Sequence, residues 1–321
     1  MIICAAPNTA VDHTVVVPGF QVGHVFRAQE TLKAAGGKGV NVARSGQHLG
    51  AETLCMGFLG GSNGHVAADL AAKEGLNAVW TWIEGETRSC HILVDPDMQQ
   101  ATVVNESGPS VSPDDWARFQ GDVIGQALTA DCVCYSGSLP PGVPADKFAE
   151  LTVGLCGKIE HDIWIDTSGA PLRAAIEIGT GRFPHRLNIK VNDDEIGAAL
   201  GRQITTPQAA AAAALHLCSQ GIRTVVVTLG GLGAVMVGPG GVWQAVPPPV
   251  KIKSAVGSGD AFLAGLVTAL VNGATFSDSL CSAVACGTAN ALTVGGGNFS
   301  KDDYETLRDQ IKLETIHTVR G

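Results

Sequence analysis

The sequence contains no G-x-x-x-x-G-K-[ST] and no G-x-G-x-x-G, so it has neither a Walker-type nucleotide loop nor the usual dinucleotide fingerprint. It also has no C-x-x-C pair. Its nine cysteines are odd in number, and Cys132, Cys134, Cys218, Cys281 and Cys286 sit in apolar surroundings. A disulfide framework or thiolate metal site is thereby excluded in favour of reduced, buried thiols acting as small hydrophobes. Nine histidines are scattered without H-E-x-x-H or another zinc spacing, which argues against a structural metal. No apolar run reaches the roughly 18 residues that span a bilayer, so no membrane partner is expected. The net charge is −9 and no basic stripe is present, so no nucleic-acid partner is expected either. The opening MIICAAPNTAVD lacks a basic region and meets an aspartate early. It does not read as a signal peptide, and a cytoplasmic location is the expectation.

What is present is a 321-residue chain with 45% hydrophobic and 16% charged residues, enough apolar material for a large core. IICAA opens as a short strand, and HTVVVPGFQVGHVFRAQETLKAAGG carries β-rich runs broken by Pro18, Gly19 and Gly23. RSCHILVD and QATVVN read as paired strands around DPDMQQ. From about Pro113 the pattern becomes regular, with helical stretches preceding DCVCYSG, IWIDTSG, LNIKVN and RTVVVTLGG. Such alternation predicts a mostly parallel sheet covered on both faces, hence an α/β fold. A single domain over 1–321 is expected, with residues 12–34 and 85–106 forming a small β lid. Ligands in such sheets sit beyond the carboxyl ends of the strands, where the polar residues of this chain cluster.

Two glycine-rich stretches lie more than 200 residues apart, AAGGKGVNVA (34–43) and SAVGSGDAFLAG (254–265). In the first, glycines permit close backbone approach to a ligand, Lys38 supplies a cation and Asn41 a donor–acceptor side chain. A plain loop with a solvated lysine is the other reading. In the second, Gly257, Ser258 and Gly259 precede an apolar helix and offer N–H groups at its positive end, suited to phosphate charge. Asp260, in the first turn, is placed to take a proton from a hydroxyl attacking that phosphate. Taken alone, the aspartate is equally an ordinary helix-start residue.

The pair GGKGVNVA and AVGSGDAFLAG resembles the two signatures of the PfkB (ribokinase-like) carbohydrate kinases, and the resemblance runs along nearly the whole chain in order. GETR (85–88), SGSLPPGVP (136–144), DTSG (166–169), NIKVNDDE (188–195) and VTLGGLGA (227–234) are similar to further family segments. GETR and SGSLPPG resemble the branch acting on phosphorylated hexoses: 1-phosphofructokinases, tagatose-6-phosphate kinases and the minor bacterial 6-phosphofructokinase. VPPPVK (246–251) is similar to the last of these.

The resemblance implies a three-layer α/β/α sandwich with a β lid, use of ATP and Mg²⁺, and transfer to a phosphorylated ketohexose with Asp260 as base. Asp12 would bind sugar hydroxyls; Gly37, Lys38 and Asn41 would line the sugar site. Arg88 and Arg27 would clamp the phosphate already on the substrate, and Ser138 would add a hydroxyl. For Arg27 a solvated strand arginine is the alternative. Lys190, Asn192 and Glu195 match K-P-N-x-x-E, whose Asn and Glu organise Mg²⁺ and phosphates through water. Thr228, Gly230 and Gly233 would form the nucleotide-phosphate loop. Asn290 faces the adenine pocket or, on the alternative reading, is a helix asparagine satisfied by backbone. Valine replaces the family's usual proline in KVN, and PNTAVD replaces L-N-P-A-x-D. A homodimer through the lid is the expected assembly. The rival functions are a kinase of a non-phosphorylated sugar or nucleoside and a catalytically retired sugar-phosphate-binding protein.

Overall fold

The computed structural model describes residues 1–316. The strands are β1 (Ile2–Ala6), β2 (Ala10–Val16), β3 (Glu30–Gly36), β4 (Thr53–Leu59), β5 (Ala78–Trp82), β6 (Arg88–Asp95) and β7 (Gln100–Asn105), followed by β8 (Cys132–Ser136), β9 (Asp162–Asp166), β10 (Leu187–Asn192), β11 (Thr224–Thr228), β12 (Ala234–Gly238), β13 (Gly241–Val246) and β14 (Lys312–Thr315). The helices are α1 (Lys38–His48), α2 (Gly61–Lys73), α3 (Pro113–Ala127), α4 (Ala145–Lys158), α5 (Gly169–Thr180), α6 (Asp193–Leu200), α7 (Pro207–Ser219), α8 (Ser258–Val271), α9 (Phe276–Ala291) and α10 (Lys301–Arg308).

A 10-stranded sheet runs in the order β14-β13-β12-β11-β10-β9-β8-β1-β4-β5. From β5 through β11 neighbouring strands are parallel; β12, β13 and β14 finish the edge antiparallel. Burial on both faces explains why IICAA shows no polar alternation. Ile2, Cys4 and Ala6 join the apolar cluster shared with α1 and α8, while Ile3 and Ala5 join that of α3 and α4. Period-2 geometry makes that division unavoidable. The layers are thus helix, sheet, helix, the expected α/β/α sandwich.

A separate 4-stranded sheet has the order β3-β2-β6-β7. Its strands fall within residues 10–36 and 88–105, and residues 17–29 of the expected lid segment lie outside the sheet. The β2–β6 pairing is parallel, and β2–β3 and β6–β7 are antiparallel.

Helix α8 is apolar all round, and Asp260 through Thr268 are buried in it. Such a helix belongs inside a protein; here it lies between α1 and α9. Gly257 caps it with φ 80°, a left-handed conformation that disfavours side chains. A Cβ there would also run into the backbone of Gly296. Three elements have no counterpart in the sequence reading: α6; α10, a short polar helix with Leu307 as its buried residue; and β14, exposed at every position. Among the described residues, no helix is long and apolar enough to cross a membrane.

Candidate active site

The loops after β1, β8, β9, β10 and β11, together with the inner face of the lid, enclose one cavity of about 1900 Å³. Small-molecule sites run to roughly 300–1000 Å³, so this one has room for two ligands side by side. At the lid end its wall includes Asp12, Gly37, Asn41, Arg88, Ser138 and Cys90. At the far end the wall includes Asn192, Thr228, Gly230, Gly233 and the apolar Pro247–Val250 run. Lys38, Lys190, Glu195 and the Gly257, Ser258, Gly259, Asp260 turn stand between them.

The lid-side geometry is set by the backbone. Asp12 lies on β2 opposite Ala34 and Cys90, with its carboxyl over Gly36, where any Cβ would occupy the same space. Burial pushes Asp12 up to about 6, against the pull of the Arg44 and Arg88 charges. Arg88 is held by two fixed acceptors, Asn8 O at 3.0 Å and Asn105 Oδ1 at 3.1 Å, while its Nε is buried without a partner. Asn8 also donates from Nδ2 to Ser138 Oγ at 3.0 Å, so the guanidinium and the hydroxyl share one positioning residue.

In the centre, Asp260 is 5% exposed, and its Oδ2 accepts from Asn41 Nδ2 at 2.8 Å. Burial raises its carboxyl to about 6; Lys38, Asn41 and Lys190 pull it down and the charge of Asp166 pushes it up. Asp166, at the end of β9, is wholly buried and accepts from Lys38 Nζ at 3.1 Å and from Lys190 Nζ at 3.0 Å. Burial alone would raise Asp166, but the Lys190 and Lys38 ammoniums hold it below the usual carboxylate range. The same carboxylate holds Lys38 firmly charged, well above the ordinary lysine value, against the opposing effect of burial. Both lysines therefore share one counterion beside Asp260.

The glycine turn differs in one respect from the expectation. Ser258 N–H donates to Ala255 O at 3.2 Å and Asp260 N–H to Gly257 O at 3.1 Å. Among the described residues, the N–H groups of Gly257 and Gly259 meet no acceptor, so two amides of the turn are free for an anion. A Cβ at Gly259 would lie 2.8 Å from Lys190 Nζ, which places that cation at the same turn.

Two expected site residues lie elsewhere. Arg27 is exposed and does not reach the cavity. Asp95 accepts from Gly19 N and Phe20 N and pins the base of the β2–β3 loop, and the chain beyond runs outward without ladder bonds. Asn290 is wholly buried, but it donates to Val256 O at 2.9 Å and Ser258 Oγ at 3.1 Å. It clamps the turn before α8 rather than facing a ligand; Thr288 and Ala291 form the cavity wall there.

For a divalent cation the donors are few. Asn192 Oδ1 accepts from Glu195 N at 2.7 Å and Glu195 Oε2 from Asn192 N at 2.9 Å, a reciprocal cap on α6. That leaves the Asn192 NH₂, a donor suited to phosphate oxygens, and Glu195 Oε1, 3.5 Å from Lys38 Nζ. Among the described residues no group of three or more His, Cys, Asp or Glu is arranged to hold a metal. This set fits a hard cation that keeps its waters and touches the protein through them.

Asp166, Arg44 and Asn8 were absent from the residues singled out in the sequence. A lone acid ending the apolar strand DIWID was the one legible signal, since an unpaired carboxylate is not buried.

The model of the pfkB family carbohydrate kinases matches residues 5–303. A 1-phosphofructokinase of Rhodobacter capsulatus is 36% identical over 275 residues, 85% of this chain and 84% of that one. Another 1-phosphofructokinase, of Xanthomonas campestris, is 35% identical over 271 residues, 84% of this chain and 83% of that one. The crystal structure of phosphofructokinase-2 from Escherichia coli in complex with potassium superposes with a TM-score of 0.87 at 27% identity, covering 97% of this chain and 98% of that one. With the family match spanning both glycine-rich stretches and the loops after β1, β8, β9, β10 and β11, the chain belongs to the pfkB family of carbohydrate kinases.

Proposed function

We propose that the chain transfers the γ-phosphoryl group of ATP to a hydroxyl of a phosphorylated ketohexose, giving a bisphosphate and ADP. Fructose 1-phosphate is the first candidate acceptor, because the curated relatives are named 1-phosphofructokinase. The observation that carries the reading is the order of groups along one cavity: a braced arginine under the lid, a buried carboxylate with free amides in the middle, a glycine loop beyond.

The sugar lies under the lid with Asp12 accepting from its hydroxyls and Arg88 and Ser138 on its phosphate. Asp260 Oδ2 is already engaged by Asn41, which leaves Oδ1 to take the acceptor's proton. The freed alkoxide oxygen forms its bond to the γ-phosphorus as the bond to the ADP oxygen breaks. Gly257 and Gly259 N–H, with Lys190, hold the charge spread over the transferring oxygens. Bound Mg²⁺ supplies neutralisation of the phosphate charge, and Glu195 Oε1 and the Asn192 side chain would hold it and its phosphates through water.

Arg88→Ala is expected to raise KM for the sugar phosphate by about 10- to 100-fold, the worth of charge-assisted hydrogen bonds, with KM for ATP unchanged. Steady-state kinetics with either substrate varied tests this. An unchanged sugar KM would favour a neutral sugar or nucleoside as acceptor.

We also propose that a second copy of the chain covers the lid. Val22 and Val25 on the β2–β3 loop are 90% and 101% exposed, beside the partly exposed Phe20 and Phe26. Apolar side chains left in water on a lid with two open strand edges favour association. Size-exclusion chromatography with light scattering should give a dimer mass that falls to the monomer in Val25→Asp/Phe26→Asp. A monomeric wild type would contradict this.

A further inference from the structure

Arg44 touches none of the cavity, yet its side chain is bonded more extensively than any other in the site's surroundings. It is 6% exposed on α1, three residues after Asn41. Nη1 donates to Asn41 Oδ1 at 2.8 Å and to Gly296 O at 2.9 Å, and Nη2 donates to Ala35 O at 2.6 Å. Nε donates to Glu74 Oε2 at 2.5 Å. One planar group thus ties together the last turns of lid strand β3, the glycine turn at 295–297 that abuts Gly257, the end of α2, and Asn41.

The bond to Asn41 has a chemical consequence. A primary amide can present either its oxygen or its NH₂ to a neighbour, and the two are nearly equal in shape. A guanidinium only donates, so it accepts nothing but the oxygen end of Asn41. With Oδ1 so engaged, Nδ2 faces Asp260 Oδ2 at 2.8 Å. The reverse orientation would set Oδ1 against a carboxylate, repelling its charged form, and would set NH₂ against the guanidinium.

We propose that Arg44 is a positioning residue for phosphoryl transfer, whose fixed fork locks the Asn41 amide so that its NH₂ steadies the ionised Asp260. This rests on the assignment of Asp260 as the base. The other charged groups facing Asp260 are Lys38 from α1, Asp166 from β9 and Lys190 from β10, and none of them is bonded to Arg44. Lysine at position 44 would keep the charge and lose the fork, because an ammonium is a point donor that cannot hold several acceptors in a plane.

The test is the pH dependence of kcat of the purified full chain, for wild type, Arg44→Lys, Asn41→Ala and the double variant. Without the locked NH₂ the base becomes easier to protonate, so the acid limb of Arg44→Lys should move to higher pH by about one unit. Activity at neutral pH should drop about tenfold. In the Asn41→Ala background Arg44→Lys should add less than about twofold, since the two act through one bond. An unmoved acid limb, or effects that multiply in full, would overturn the role of Arg44. If Arg44→Lys does not fold, Glu74→Gln, which weakens only the Nε anchor at a half-buried position, should shift the limb in the same direction; no shift would count against the proposal. Asp260→Asn keeps the two questions apart: an acid limb that survives it refutes the base, whereas a limb that it abolishes but Arg44→Lys leaves in place refutes Arg44 alone.

Discussion

Asp260→Asn is expected to lower kcat by roughly 10²–10⁴-fold, the contribution of a general base, equivalent to about 3–5 kcal/mol of barrier. The same substitution is expected to leave the fold at least as stable. Asp260 has its carboxyl raised from 3.8 to about 6 by burial. A group raised on folding contributes stability below its unfolded value, and that contribution is lost as pH rises through about 6. At neutral pH the ionised form therefore costs on the order of 3 kcal/mol, which a neutral amide avoids. Losing the match with Asn41 Nδ2 offsets part of that gain. Thermal unfolding at pH 7 should give a Tm no lower than wild type, while turnover collapses. A large fall in Tm would mean that Asp260 serves the fold, and undiminished turnover would remove it as the base.

Asp166→Asn acts in the opposite sense on stability. Its carboxylate is wholly buried between two ammoniums, and Lys190 is itself only 5% exposed in its side chain. Removing one member of a buried ion pair costs about 3–5 kcal/mol because the remaining charge is left uncompensated. Lys38, with a side chain 39% exposed, regains water and contributes little to that penalty. Freed of their common anchor, the lysines no longer hold their positions beside Asp260, and kcat should fall by about 10²-fold. The acid limb should move to higher pH, since the pull of the displaced Lys38 on Asp260 outweighs the push of the Asp166 charge. Denaturant unfolding and a kcat–pH profile check both halves. Wild-type stability with an unmoved limb would contradict the shared-counterion account.

The different reach of local and distant order decides what the sequence revealed. Alternation of strand and helix after residue 113 was legible because burial on both faces makes parallel strands continuously apolar. The two glycine-rich stretches were legible because backbone N–H presentation needs residues without side chains, wherever the partner segment lies. The Lys38–Asp166 bond joins residues 128 apart, and no local pattern encodes it. Arg44 in VARSG carries no local mark of burial, and only the approach of Gly296 and Ala35 shows it buried. Ser258 appeared to offer a free N–H until the turn bonded it to Ala255. The Asn290 NH₂ meets the backbone at Val256, 34 residues away, while its Oδ1 is buried without a partner, and neither is written in the local sequence. The strand KLET is exposed at every position and exists only because β13 offers it a ladder.

Initial rates of ADP release from ATP and Mg²⁺ with fructose 1-phosphate and with fructose, both over a range of concentrations, test the central claim most directly. A clamp of charge-assisted bonds on the acceptor's phosphate predicts kcat/KM higher by at least about 10²-fold for the phosphorylated sugar. Equal values for the two, or ligand binding without ADP release, would contradict it.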